Sequence, residues 1–146
     1  MKNVVFILII LFGAISTLKA DVKKWKLEQV GFLNIDRNEK DYGGFSGLLI
    51  KNAGTEALVV TDKSFFFVLE LRRDDNDFLN GYSVIKKGRI LSSKGEHLNG
   101  RNTDSESIAM DANNNYFISF ESNHRIMMHT EIEGKGIFVP KHPMFR

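Results

Sequence analysis

The chain contains no cysteine. That excludes disulfides, thiolate metal sites and a lipid-modified cysteine at a cleavage point. Its two prolines, Pro140 and Pro143, both fall in the last stretch, so nothing before them is interrupted by a residue that cannot donate a main-chain bond. Charge of either sign is not in excess: the formal net charge is +2. There is thus no electrostatic footprint for nucleic acid. Sustained helical periodicity is missing after the first 20 residues. What is present is a hydrophobic fraction of 42% and twelve phenylalanines, enough for a packed core in one domain of 146 residues.

The opening stretch "MKNVVFILIILFGAISTLKA" reads as a secretory signal. Lys2 supplies the positive start, Val4 to Phe12 is unbroken apolar sequence, and Gly13, Ala14, Ser16 and Ala20 are small. Cleavage after Ala20 or after Ser16 fits. The apolar run is shorter than the roughly 20 residues that span a bilayer, which favours export with cleavage over a stable membrane anchor. Residues 1–20 are then a signal helix and residues 21–146 the mature domain. Removing Lys2 and Lys19 leaves 18 basic against 18 acidic residues. The expected location is periplasmic or secreted.

Short β-rich runs separated by Gly, Asn and Asp turns predict strands over Lys26–Ile35, Phe45–Lys51, Ala57–Thr61, Phe65–Arg72, Tyr82–Leu91, Ser105–Met110, Tyr116–Phe120 and Arg125–Ile132. "ALVV" and "FFFVLEL" are apolar on consecutive residues, so these strands need cover on both faces, as in stacked sheets. The chain also repeats. A shift of 59 places Ser46 on Ser105, Leu49 on Ile108, Leu58 on Phe117, Val59 on Ile118, Asp62 on Glu121, and Phe67–Val68 on Ile126–Met127. A period near 50 points to propeller blades. The predicted fold is therefore all-β: a partial β-propeller of about two four-stranded blades, 45–91 and from 105 onward, with Lys26–Ile35 as an extra strand. A propeller needs about four blades to close. Missing blades are expected from a longer chain or from another chain, and "GIFVPKHPMFR" reads as a linker leading onward.

"GGFSGLLI", "ALVVTDKSFFFVLEL" and "TDSESIAMDANNNYFISFESNHRI" together resemble the phytase-like family, also called esterase-like activity of phytase. The likeness runs from about Tyr42 to Pro140 and covers the N-terminal part of such a domain. It implies a propeller, export, and hydrolysis of small phosphoesters or related esters. Ser107 departs from the family's usual form, which has glycine after the acid at Glu106.

Blade geometry gives the acids a meeting place. The start of a blade's first strand and the end of its second lie at one rim. Asp104 and Glu106 enter there, Asp62 and Glu121 leave there, and Lys63, His124 and Arg125 follow in the rim loops. Gathered carboxylates favour a hard cation such as Ca²⁺, which takes oxygen ligands. The expected ligands are Asp62, Asp104, Glu106 and Glu121. Lys63 and Arg125 would meet substrate phosphate, and Glu106 and His124 would serve as acid or base. The same acids also suit ordinary turn chemistry, in which Asp bonds nearby amides. A propeller used only as a binding or scaffold platform, or an inactive truncated product, therefore stands beside the hydrolase.

Zinc is disfavoured: His124 and His129 would point to opposite faces of one strand, and His97 and His142 fall in loops. Ser46 lacks the glycine two residues earlier that a nucleophile elbow requires.

Overall fold

The computed structural model describes residues 24–29, 31–35, 43–141 and 143–144. The expected signal helix, Tyr42 and His142 lie outside these residues. Among the described residues, no helix is long and apolar enough to cross a membrane.

The architecture is all-β, with two four-stranded antiparallel sheets. The first holds β1 (Phe45–Lys51), β2 (Glu56–Thr61), β3 (Phe65–Arg73) and β4 (Leu79–Arg89), in that order. The second holds β5 (Ser105–Met110), β6 (Tyr116–Phe120), β7 (Arg125–His129) and β8 (Ile137–Phe138). Each is a meander, the arrangement of a propeller-type blade.

Local chemistry sets the turns. Asn52, Ala53 and Gly54 all have positive φ between β1 and β2. The Asp111 Oδ1 atom accepts from the main-chain N–H groups of Asn113 and Asn115, closing the β5–β6 turn. Asp74 does the same for Asn76 and Phe78 between β3 and β4. These acids serve the backbone, as turn chemistry predicts.

One core lies between the sheets. Leu58, Val60 and Phe66 from the first blade meet Ile108, Ile118, Phe120 and Met127 from the second, with Ile90, Leu98 and Ile132 from the connections. Phe66 and Ile118 have no exposure at all, and burying such a side chain contributes about 1.5–3 kcal/mol. The blades approach closely at Gly47. A Cβ there would lie 2.9 Å from the Ile108 main-chain nitrogen, so only glycine fits. Hydroxyls stitch the same seam: Ser46 Oγ donates to the Ser105 carbonyl at 2.5 Å and Ser105 Oγ to the Thr61 carbonyl at 2.5 Å. The opposite face of the first sheet buries Ala57, Val59, Phe67 and Leu69. Consecutive apolar residues in β2 and β3 thus serve two faces, as their lack of alternation implies.

Three sequence expectations change. Lys26–Ile35 forms no strand among its described residues. Ile35 packs on the outer face of the first sheet, while Trp25, Leu27 and Phe32 are exposed. Its apolar residues suit a strand, but a strand also needs a paired edge, and this segment has none among the described residues. Arg125–Ile132 ends as a strand at His129. Within the supposed linker, Ile137 and Phe138 instead pair with Met128 and Met127 and complete the second sheet.

The repeat is real but not gapless. Val59 and Ile118, 59 apart, hold the same place in β2 and β6. Their partners Leu48 and Ile108 are 60 apart, as are Phe67 and Met127 in the third strands. The first blade has one more residue in its first connection and one fewer in its second, and the two differences cancel. By register, then, Gly44 corresponds to Asp104, Ser46 to Glu106, Asp62 to Glu121 and Phe65 to Arg125.

Candidate metal centre

Antiparallel pairing of Ser105 with Phe120 brings the start of β5 and the end of β6 together. The residues just outside that pair, Asp104 and Glu121, are then neighbours, and the Glu121 N–H donates to the Asp104 carbonyl at 2.9 Å. Glu106 arrives by another device. The register slips between Ser105 and Ser107, a bulge that turns the extra side chain toward the rim. One carboxylate oxygen from each of Asp104, Glu106 and Glu121 lies within 4.8 Å of the other two.

The donor set fits a hard cation. Oxygen ligands sit about 2.3–2.6 Å from Ca²⁺, so two ligands of one ion stand at most about 5 Å apart. Asp104 is half-buried, while Glu106 and Glu121 are exposed and free to adjust. Crowding-out of water, then the charges of Glu121 and Asp104, raise the Glu106 carboxyl above its ordinary value. A cation would reverse the second cause, and protons would compete with it.

The surrounding loops are fastened together. Ser122 Oγ donates to Asp104 Oδ2 at 2.5 Å, and the Asn123 amide donates to Asn102 Oδ1 at 3.1 Å. The Arg125 guanidinium lies 3.8 Å over the Phe120 ring and donates to the carbonyls of Asn102 and Asn123. Its half-burial lowers its proton affinity. Sequence reasoning missed Ser122 and Asn102, and placed Asn123 in the rim loop without a role. The only signal for the first two was their place in the polar stretches flanking the acids.

The structure gathers three of the four expected metal ligands. Asp62 stands at the corresponding rim position of the first blade, outside that group. Its N–H donates to the Gly44 carbonyl at 2.8 Å, and its carboxylate leans over Gly44, where a Cβ would come within 2.2 Å of Oδ1. Lys63 is exposed in the β2–β3 turn, its N–H directed to Thr61 Oγ1 at 3.3 Å. His124 is exposed at the end of the turn that begins with Glu121. Of the other histidines, His129 is buried, with Nδ1 2.9 Å from the Gly134 carbonyl and Nε2 without a partner. Its ring lies beside Gly136 within the second blade, where a Cβ would come within 3.0 Å of it.

Two repeated four-stranded meanders, packed face to face with acids at one rim, define a protein of propeller-type blades. Within that class, the family described as Phytase-like: Esterase-like activity of phytase matches residues 40–138, more than half of the chain. The chain belongs to this family. No curated protein and no solved structure matches it.

Proposed function

We propose that this chain carries the cation-binding rim of an exported, calcium-dependent hydrolase acting on small phosphoesters or related esters. The observation that carries the reading is the convergence of Asp104, Glu106 and Glu121 within 4.8 Å in a member of the phytase-like family. Those three carboxylates would hold the ion, while Asp62, outside the group, adds negative charge at the rim of the neighbouring blade. Bound Ca²⁺ supplies neutralisation of phosphoryl charge and polarises the bond to be broken. Lys63 offers an exposed ammonium to the remaining negative charge of the substrate. Exposed His124, in the turn after Glu121, is the acid or base of this reading. Further blades, from the same polypeptide or another, cover the outer face of the second sheet, where Ile126 and Ile137 are about half exposed.

The test is direct. The full-length protein should cleave para-nitrophenyl phosphate, lose that activity in a calcium chelator and regain it with added calcium. Asp104→Asn should abolish the calcium response. Turnover indifferent to both chelator and Asp104→Asn would refute the reading.

A second reading is a non-catalytic binding platform. Its support is that Asp104 already accepts from Ser122 and Glu121 and so has structural work without any ion. It predicts no hydrolysis and no thermal response to calcium. Export itself is checked by fractionation, which should recover the mature protein outside the cytoplasm.

A further inference from the structure

Arg125 opens β7 and pairs in register with Phe120, the last residue of β6. One terminal nitrogen donates to the Asn102 carbonyl at 2.6 Å and the other to the Asn123 carbonyl at 3.1 Å. Asn102 stands two residues before Asp104, and Asn123 two residues after Glu121. The two loops that Arg125 joins are therefore the two that present the acids. The guanidinium lies over the Phe120 ring at 3.8 Å, so the ring and the two carbonyls set its direction before any ligand arrives.

The first blade serves as an internal control. It has the same main-chain bond at this rim, from Asp62 to Gly44. At the place of Arg125 it has Phe65, which has no group to bond a carbonyl and is itself covered by Arg89 at 4.4 Å. Among the described residues that rim presents one acid, Asp62, where the second blade presents three. Gathered carboxylates push their loops apart, and among the described residues the arginine fastening stands at the rim where that repulsion does.

We propose that Arg125 is the positioning residue of the acidic site: it binds the Asn102 and Asn123 main chains together and so sets the spacing of Asp104 and Glu121 on which cation binding depends. The inference rests on the cation reading above. Two of its donors are spent on protein carbonyls, which separates this role from that of a substrate phosphate ligand.

Arg125→Lys and Arg125→Gln, made in the full chain, test it with two readouts. Calcium titration by calorimetry should show binding at least about tenfold weaker in both variants, the size expected for a group that orients ligands without touching the metal. Lysine should not rescue, because one ammonium cannot reproduce a fixed fork to two carbonyls. Without calcium, hydrogen exchange of the Glu121 amide should quicken by about tenfold, reporting local opening of its bond to Asp104. An unchanged Glu121 amide in both variants would overturn the proposal. So would unchanged calcium affinity with a KM for para-nitrophenyl phosphate raised by Gln and restored by Lys, the signature of a phosphate contact. Should the wild type bind no calcium, the metal reading falls and the amide exchange alone decides the fastening. If the Arg125 variants do not fold, NMR of the wild-type Arg125 guanidinium decides instead. Slowed rotation with separate Nη–H signals supports the proposal, and free rotation of the group sinks it.

Discussion

The two blades present the same backbone at the rim and different side chains upon it. In both, the residue after the second strand donates its N–H to the residue before the first: Asp62 to Gly44, and Glu121 to Asp104. In both, the first strand bulges one residue after it begins. On this frame the first blade places Gly44, Ser46 and Asp62, and the second places Asp104, Glu106 and Glu121. Ser46 at the first bulge turns to the seam and bonds the Ser105 carbonyl, whereas Glu106 at the second turns to the acids. The fold is thus fixed by main-chain bonds and apolar faces that both blades share. The chemistry is set at three positions that the frame leaves open.

Removing the shared core should break the comparison most severely. Phe66→Ala deletes a fully buried ring between the sheets and should cost about 3–5 kcal/mol, with both blades melting in one transition in chemical denaturation. Separate transitions would show that the blades do not stabilise each other. Next, Gly44→Ala probes whether the first blade can imitate the second. Its φ of +63° and the close Asp62 carboxylate both oppose a side chain, so a loss of about 1–2 kcal/mol is expected, measured by the same unfolding curve. No loss would mean that Gly44 is not what separates the two rims.

His129 sharpens the contrast by its pH dependence. Burial holds its proton affinity below the ordinary value near 6.5, despite the opposing bond to the Gly134 carbonyl. The unfolded chain therefore takes up the proton first as pH falls. Stability should be full above pH 6.5 and decline below it, until the native ring also protonates. Thermal melts between about pH 5 and about pH 8 should show that slope, and His129→Gln should flatten it (both pH limits lie about 1.5 units from the free imidazole value). The smallest effect is expected at Lys86, whose ammonium meets Glu133 at 2.6 Å across the two blades. Both side chains are about half exposed, so Lys86→Ala should change the melting free energy by less than about 1 kcal/mol, and less still in high salt.

Much of this frame was legible in the sequence because apolar runs bounded by Asn, Asp and Gly mark strands wherever both faces are covered. β1, β5 and β6 coincide with the predicted segments, and β2, β3 and β4 differ only at their ends. β8 was not legible, since two residues carry no periodicity and pair only because β7 offers an edge. Lys26–Ile35 misled for the converse reason: its apolar residues suit a strand, but its described residues join no edge. The repeat was visible, but two opposite one-residue differences cancelled and hid the shifted register of the first and third strands. Asp104 and Glu121 could be paired from strand polarity alone. The part played by Arg125 could not, because it rests on main-chain carbonyls that the sequence does not display.

The measurement that bears most directly on the central claim is a calcium-dependent melting series on the full-length protein. At a calcium concentration about one hundred times the dissociation constant, the wild type should gain about 2.7 kcal/mol of stability. Asp104→Asn combined with Glu121→Gln should lose that gain, while Asp62→Asn in the first blade should keep most of it. A wild type indifferent to calcium, or a gain that survives the double substitution in the second blade, would contradict the account.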